Sequence, residues 1–225
     1  MYLRITLMDP FECTPAELKC SRDIIIPDDM TLHAFHFVLQ KAFGFYNEHL
    51  HDFMVSDEAA DGDPEYFRPD NDDGDVEIYD DPSPYEYARI GTWLKHCYMK
   101  PYKQPIEKLQ GFPGKTLWEY NTVADVMEKY GSLIYNYDYG DAWMFSVVKI
   151  KKSYHAQENE KLPVCVSATG PMLIEDVGGV YGMSDFLDAL NGKEDDHGYS
   201  DDIQETKEWA KSQGWKKNVP VEKIL

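Results

Sequence analysis

"SRDIIIPDDMTLHAFHFVLQKAFGFYNEHLHDFMV", residues 21–55, decides the fold. Three β-branched residues in a row, Ile24 to Ile26, stop at Pro27, which reads as a strand with Ile24 buried. Asp28, Asp29 and Thr31 then offer N-cap oxygens. Leu32, Phe35, His36, Leu39 and Phe43 recur at helical spacing and Gly44 follows as a C-cap, so the spacing predicts a helix over about 32–43. "HLHDFMV" resumes strand alternation, with His49, His51 and Phe53 on one face and Leu50, Asp52 and Met54 on the other. Upstream, "YLRITLMD" turns Leu3, Ile5 and Leu7 one way and Arg4 and Thr6 the other, a half-buried strand that pairs with the second. The chain therefore opens strand, strand, helix, strand.

Working outward, residues 56–86 break the pattern. They carry thirteen Asp and Glu against the single basic Arg68, with prolines that include Pro64, Pro69 and Pro82, and read as an acidic surface insertion. "PDNDDGD" invites a calcium-loop reading, but with Gly74 at the glycine position the first ligand falls on Pro69, which has no side-chain oxygen. "YARIGTWL" is a short strand and residues 100–120 are turn-rich. "NTVADVMEKYGS" is a helix between Thr122 and Gly131. A hairpin over about 133–153 turns at "YGDA", and "LPVCVSATG" adds a strand. Two helices close the chain, one capped by Ser184 and ending at Gly192, the other ending at Gly214. The expectation is an α+β fold: a single domain over 1–225, a mixed β-sheet with the strand-strand-helix-strand unit at its N-terminus, C-terminal helices, and the acidic loop inserted at about 56–86.

The composition restricts function. The 225 residues are 43% hydrophobic and 14% aromatic, enough for a packed core. A formal charge of -19 repels phosphate backbones and anionic lipid, so neither nucleic acid nor a membrane is an expected partner; a basic protein surface is. Lys149, Lys151 and Lys152 read as a solvated strand end. The N-terminal segment is interrupted by Arg4 and Asp9 and reads as no signal peptide. Cys13, Cys20, Cys97 and Cys165 form no C-x-x-C pair, which suits reduced thiols in a cytoplasmic protein. No G-x-S-x-G elbow, H-E-x-x-H or Walker loop occurs.

Three blocks together resemble one family. "RDIIIPDDMTLHAFHFVLQKAFGFYNEHLHDF" resembles the opening of the Ri-plasmid ORF-3-like domain family. "YNYDYGDAW" is similar to its Y-x-Y-D-F-G-D-x-W hairpin, with Tyr139 in place of Phe, and "EDVGGVYGMSDFLDAL" to its E-D-C-G-G segment. The resemblance implies an α+β fold and an association with plasmids and mobile elements, and no particular reaction. Val177 stands where the family has cysteine, "TGPMLI" replaces its cysteine-proline run, and Phe145 replaces a histidine, so a thiol or metal role at those positions does not carry over.

Two groups of residues remain as candidate sites. The first is the polar cluster His49, His51, Asp138, Asp141 and Trp143. An i, i+2 histidine pair on a strand shares a face, with Cα atoms about 6.5–7 Å apart. With a carboxylate from Asp138 or Asp141, and His36 as a third nitrogen, such a pair can hold zinc or iron. The expectation is instead a hydrogen-bonded polar lining with no cofactor, in which Asp138 and Asp141 cap the turn; the sharper alternative has Asp138, Asp141 and Trp143 rim a pocket with the indole as a stacking platform. The second is the loop Glu175, Asp176, Gly178 and Gly179, read as a structural turn ahead of a helix that otherwise takes an anion. The function expected is a non-catalytic binding or accessory module, with a metal-dependent hydrolase on the His/Asp cluster as the alternative.

If residues 56–86 are an insertion, replacing them by a short Gly/Ser bridge leaves a cooperative thermal melt; a molten or insoluble product would show that they belong to the core.

Overall fold

The computed structural model describes residues 1–8, 18–56, 87–90, 122–151, 154, 161–193 and 197–225. The strands are β1 Tyr2–Leu7, β2 Ser21–Ile25, β3 His51–Ser56, β4 Tyr87–Ile90, β5 Ser132–Tyr137, β6 Trp143–Lys149 and β7 Val164–Thr169. The helices are α1 Leu32–Phe43, α2 Val123–Tyr130, α3 Gly179–Leu190 and α4 Ile203–Ser212, with a 3-10 turn at Val221–Lys223. The expected α+β class is what the chain adopts. Residues 57–86, the acidic insertion of the sequence reading, lie outside the described residues, as do Cys13 and Cys97.

All seven strands join one sheet in the order β4-β3-β5-β6-β1-β2-β7. Every neighbouring pair is antiparallel, which corrects the expected mixed sheet. The reason lies in α1. It links β2 to β3, strands separated by β5, β6 and β1, so it carries the chain across the sheet instead of returning it to a parallel neighbour.

Register places one set of side chains on the face that α1 covers. Phe53 lies opposite Tyr135, Tyr135 opposite Phe145, Phe145 opposite Leu7, and Leu3 opposite Ile24. All of these residues are buried, Ile24 completely. From α1, Phe35 stacks on Phe53 at 6.2 Å between centroids and Phe43 meets Phe145 at 4.3 Å. Thr31 caps α1 by accepting from Ala34 N at 3.2 Å, the one of the three offered oxygens that does so. Gly44 ends it at φ 99°, where a Cβ would stand 3.0 Å from the Leu173 carbonyl oxygen.

Two boundaries differ from expectation. β3 begins at His51, which leaves His49 in the loop before it. α3 begins at Gly179 with Gly178 at the cap, so Ser184 is an interior helical residue. Cys20 and Cys165 are buried free thiols. Among the described residues no helix is long and apolar enough to cross a membrane.

Among the described residues, Arg22 is the buried guanidinium of the core. Arg22 is 1% exposed and its carboxylate neighbour Asp23 pairs with Arg4 at 2.7 Å. The guanidinium instead donates to four carbonyls, Ala42 at 2.9 Å, Ser21 at 2.9 Å, Thr169 at 2.6 Å and Pro171 at 2.8 Å, and lies 5.1 Å from the Phe43 ring centroid. It joins β2, the end of α1, β7 and the segment after it. Arg22→Ala leaves these carbonyls buried without donors, at about 1–3 kcal/mol for each that water cannot reach. A loss of about 3 kcal/mol or more in urea unfolding is expected, with Arg22→Lys recovering only part because an ammonium lacks the planar fork; an unchanged midpoint would show that the carbonyls find other donors.

Candidate functional site at the hairpin and glycine-pair junction

The β5–β6 turn is folded by its own carboxylate. Asp138, at φ 56°, accepts through Oδ1 from Gly140 N at 3.0 Å and Asp141 N at 3.3 Å. Its backbone N donates to Leu50 O at 2.8 Å, which ties the turn to the loop entering β3. That leaves Oδ2, 3.7 Å from His49 Nε2, on a residue only 6% exposed.

The glycine pair lies directly against this turn. A Cβ on Gly179 would stand 2.2 Å from the Asp141 carbonyl oxygen, so only glycine permits the approach. Gly178 N donates to Asp141 Oδ2 at 3.2 Å. α3 has no side-chain cap of its own, and Asp141 supplies one from the other element, with its charge at the positive end of the helix. Burial raises the Asp141 pKa; backbone N–H donation from Gly179 and Gly178 opposes the rise, and the charges of Asp138 and Asp176 add to it. Asp176, at φ 57°, places Oδ1 3.1 Å from His49 Nε2.

Tyr137 holds the third side. Its hydroxyl donates to Glu175 Oε1 and accepts from Glu48 N at 3.1 Å and His49 N at 3.3 Å. Burial, reinforced by the Glu175 hydrogen bond, drives the phenol well above its ordinary pKa, so it stays a donor.

Two of the expected residues sit elsewhere. His51 is 1% exposed and stacks on His36 with centroids 3.6 Å apart and planes at 9°. His36 in turn contacts the Tyr135 hydroxyl through Nδ1 and Asn47 Oδ1 through Nε2, each at 2.8 Å. Since Asn47 Oδ1 can only accept, His36 carries its proton on Nε2 and Tyr135 donates to Nδ1. Trp143 is completely buried, 5.6 Å from the Phe45 ring, and offers no stacking surface. The structure thus brings together His49, Asp138, Asp141, Glu175, Asp176, Gly178 and Gly179, merging the two groups of candidates, and puts His51 and Trp143 into the core. Tyr137 was missed. So was the His197–Asp185 pair at 2.7 Å, whose imidazole Nε2 would lie 3.2 Å from a Cβ on Gly178. Alternation along β5 does mark Tyr137 as inward-facing, on the same face as Tyr135.

Fold and junction define an α+β protein with a partly buried carboxylate and imidazole cluster between a hairpin turn and a helix start. The chain belongs to the family described as plasmid pRiA4b ORF-3-like protein, matched over residues 3–222. It is 28% identical over 169 residues to the uncharacterized protein y4hQ of Sinorhizobium fredii, a match covering 75% of this chain and 64% of that protein. In fold it is similar to the crystal structure of the protein of unknown function MM3350 from Methanosarcina mazei Go1, with a TM-score of 0.61, 18% identity, and 100% of this chain and 96% of that chain covered.

The raised pKa of Asp141 gives a signed expectation. Folding favours its protonated form, so its contribution to stability is full below the unfolded carboxylate value of about 3.9 and is lost as pH rises through the higher folded value. Asp141→Asn retains an acceptor oxygen for Gly178 and removes the titration. Urea midpoints followed across the carboxylate range should show the parent losing stability relative to the variant as pH rises; the opposite trend would mean that the helix-end hydrogen bonds outweigh burial.

Proposed function

We propose that the chain is a non-catalytic binding or accessory module, working in the cytoplasm, that takes a basic protein surface at the hairpin and glycine-pair junction. The observation that carries this reading is the chemistry of the junction: the carboxylates of Asp138 and Asp176 face the His49 imidazole, with those of Asp141 and Glu175 on the adjoining Gly178 amide and Tyr137 hydroxyl, and all four present acceptors. Such a site receives a cation. The formal charge of -19 supports it by steering positively charged partners toward the molecule. The buried free thiols Cys20 and Cys165 suit a reducing compartment. Family membership supports a setting among plasmid-borne proteins.

A second reading, a metal-dependent hydrolase, is favoured by one observation. His49, Asp138 and Asp176 each offer a ligand atom within 4.8 Å of the others. The open positions of such a centre would hold the attacking water.

Titration of the isotope-labelled chain with a Lys/Arg-rich peptide tests the first reading. Amide shifts should concentrate at residues 138–142 and 176–180, the affinity should fall with added salt, and Asp176→Asn should weaken it about fivefold, near 1 kcal/mol. A Glu-rich peptide of equal length should leave the spectrum unchanged. Shifts of equal size with both peptides, or none with either, would sink the reading.

A further inference from the structure

His49 Nε2 is shut off from solvent and makes no hydrogen bond. It nevertheless faces Asp176 Oδ1 at 3.1 Å and Asp138 Oδ2 at 3.7 Å. We propose that these three atoms are the ligands of a divalent d-block cation of the zinc type. The inference rests on the reading of the junction as a cation receptor and names the cation.

The spacing fits. Ligand atoms about 2.0–2.2 Å from a tetrahedral ion lie roughly 3.3–3.6 Å from one another, and the two edges through His49 bracket that range. The third edge is within 4.8 Å. The chemistry fits as well. An imidazole with two carboxylates suits zinc, manganese or cobalt, whereas calcium and magnesium take oxygen alone.

Burial adds a separate argument. Asp138 is 6% exposed, and its Oδ1 is committed to the turn amides, so Oδ2 faces His49 with no N–H donor of the turn directed at it. A buried polar atom requires a partner, and for His49 Nε2 a bound cation is one. The ligand frame is also fixed in advance. Tyr137 accepts from His49 N, Leu50 O accepts from Asp138 N, and Asp141 accepts from Gly178 N, two residues beyond Asp176. Three protein ligands leave coordination positions for water or a partner's donor atom. His51, stacked on His36, takes no part.

The untagged full chain, stripped with chelator and dialysed, is titrated with Zn2+ by calorimetry and with Co2+ by visible absorption. One ion per chain and a cobalt d–d band are expected. His49→Ala, Asp138→Asn and Asp176→Asn should each weaken uptake about tenfold or more, while His33→Ala, which removes an exposed histidine of α1, should bind as the parent does. Asp176 is 67% exposed on its side chain, so its variant keeps the fold, checked by circular dichroism. Substoichiometric uptake, an unaffected Asp176→Asn, or an equal loss in His33→Ala overturns the site. The Lys/Arg-rich peptide is run on the same samples. Peptide binding without metal uptake overturns the metal site and leaves the module reading intact; metal uptake without peptide binding supports the metal site and overturns the basic-partner reading.

Discussion

The hydroxyl of Tyr137 is the point on which the junction depends. It sits at the end of β5, donates to Glu175 from the α3 entry and accepts from two backbone amides of the β3 entry. A hydrogen bond to a buried charged group contributes about 1.5–3 kcal/mol. Glu175 is 5% exposed, so without that donor its carboxylate faces the full cost of desolvation. Three segments distant in sequence are thereby held within one side chain's reach. The Tyr137 ring, 4.8 Å from Phe45, is in turn fixed by the aromatic core, which transmits the rigidity of the sheet to the loops.

Two opposed electrostatic effects meet at Asp141. The amides of the α3 start stabilise its charge, while burial and the neighbouring carboxylates Asp138 and Asp176 penalise it, and burial dominates. The fold retains the residue because α3 has no side-chain cap of its own. Gly179 makes the arrangement possible by letting backbone touch backbone, so the hairpin and the helix form one unit instead of two adjoining loops. Capping, close approach and the carboxylate cluster are one structural event seen from three residues.

Much of this was legible in the sequence because it is local. Helix α1 ran from Leu32 to Phe43 as its spacing and Gly44 required, and α2 lay between Thr122 and Gly131. Ile24 was fully buried. What was not legible is long-range. The antiparallel course of the sheet follows from α1 crossing three intervening strands, and no periodicity encodes that. Ser184 looked like a cap because Ser is a good one, whereas the helix begins at Gly179, against an acceptor on Asp141. The i, i+2 rule failed for His49 and His51 because it assumes a strand through both residues. β3 starts at His51, Asn47 takes φ 63°, and His49 turns to the hairpin while His51 turns to α1. The spacing groups Asp176 with the glycine pair and not with the histidine, since the contacts that unite them, Gly179 against Asp141 and Tyr137 with Glu175 and His49, are long-range.

The separation of the two histidines defines the chemistry available. His36, His51 and Tyr135 form a closed layer under α1, in which the His36 ring nitrogens already have partners and stacked rings fill the space. His49 stands outside that layer, among carboxylates, with an unbonded nitrogen. In a chain with 41 acidic against 22 basic residues, further negative charge inside the fold is opposed by the field of the whole molecule. Asp138 and Asp176 therefore stay beside His49 against two penalties, mutual repulsion and the repulsion of the surface. A divalent cation of the kind proposed for this junction would offset that charge. The excess of carboxylates beside the His49 imidazole is therefore the feature that the proposed cation answers.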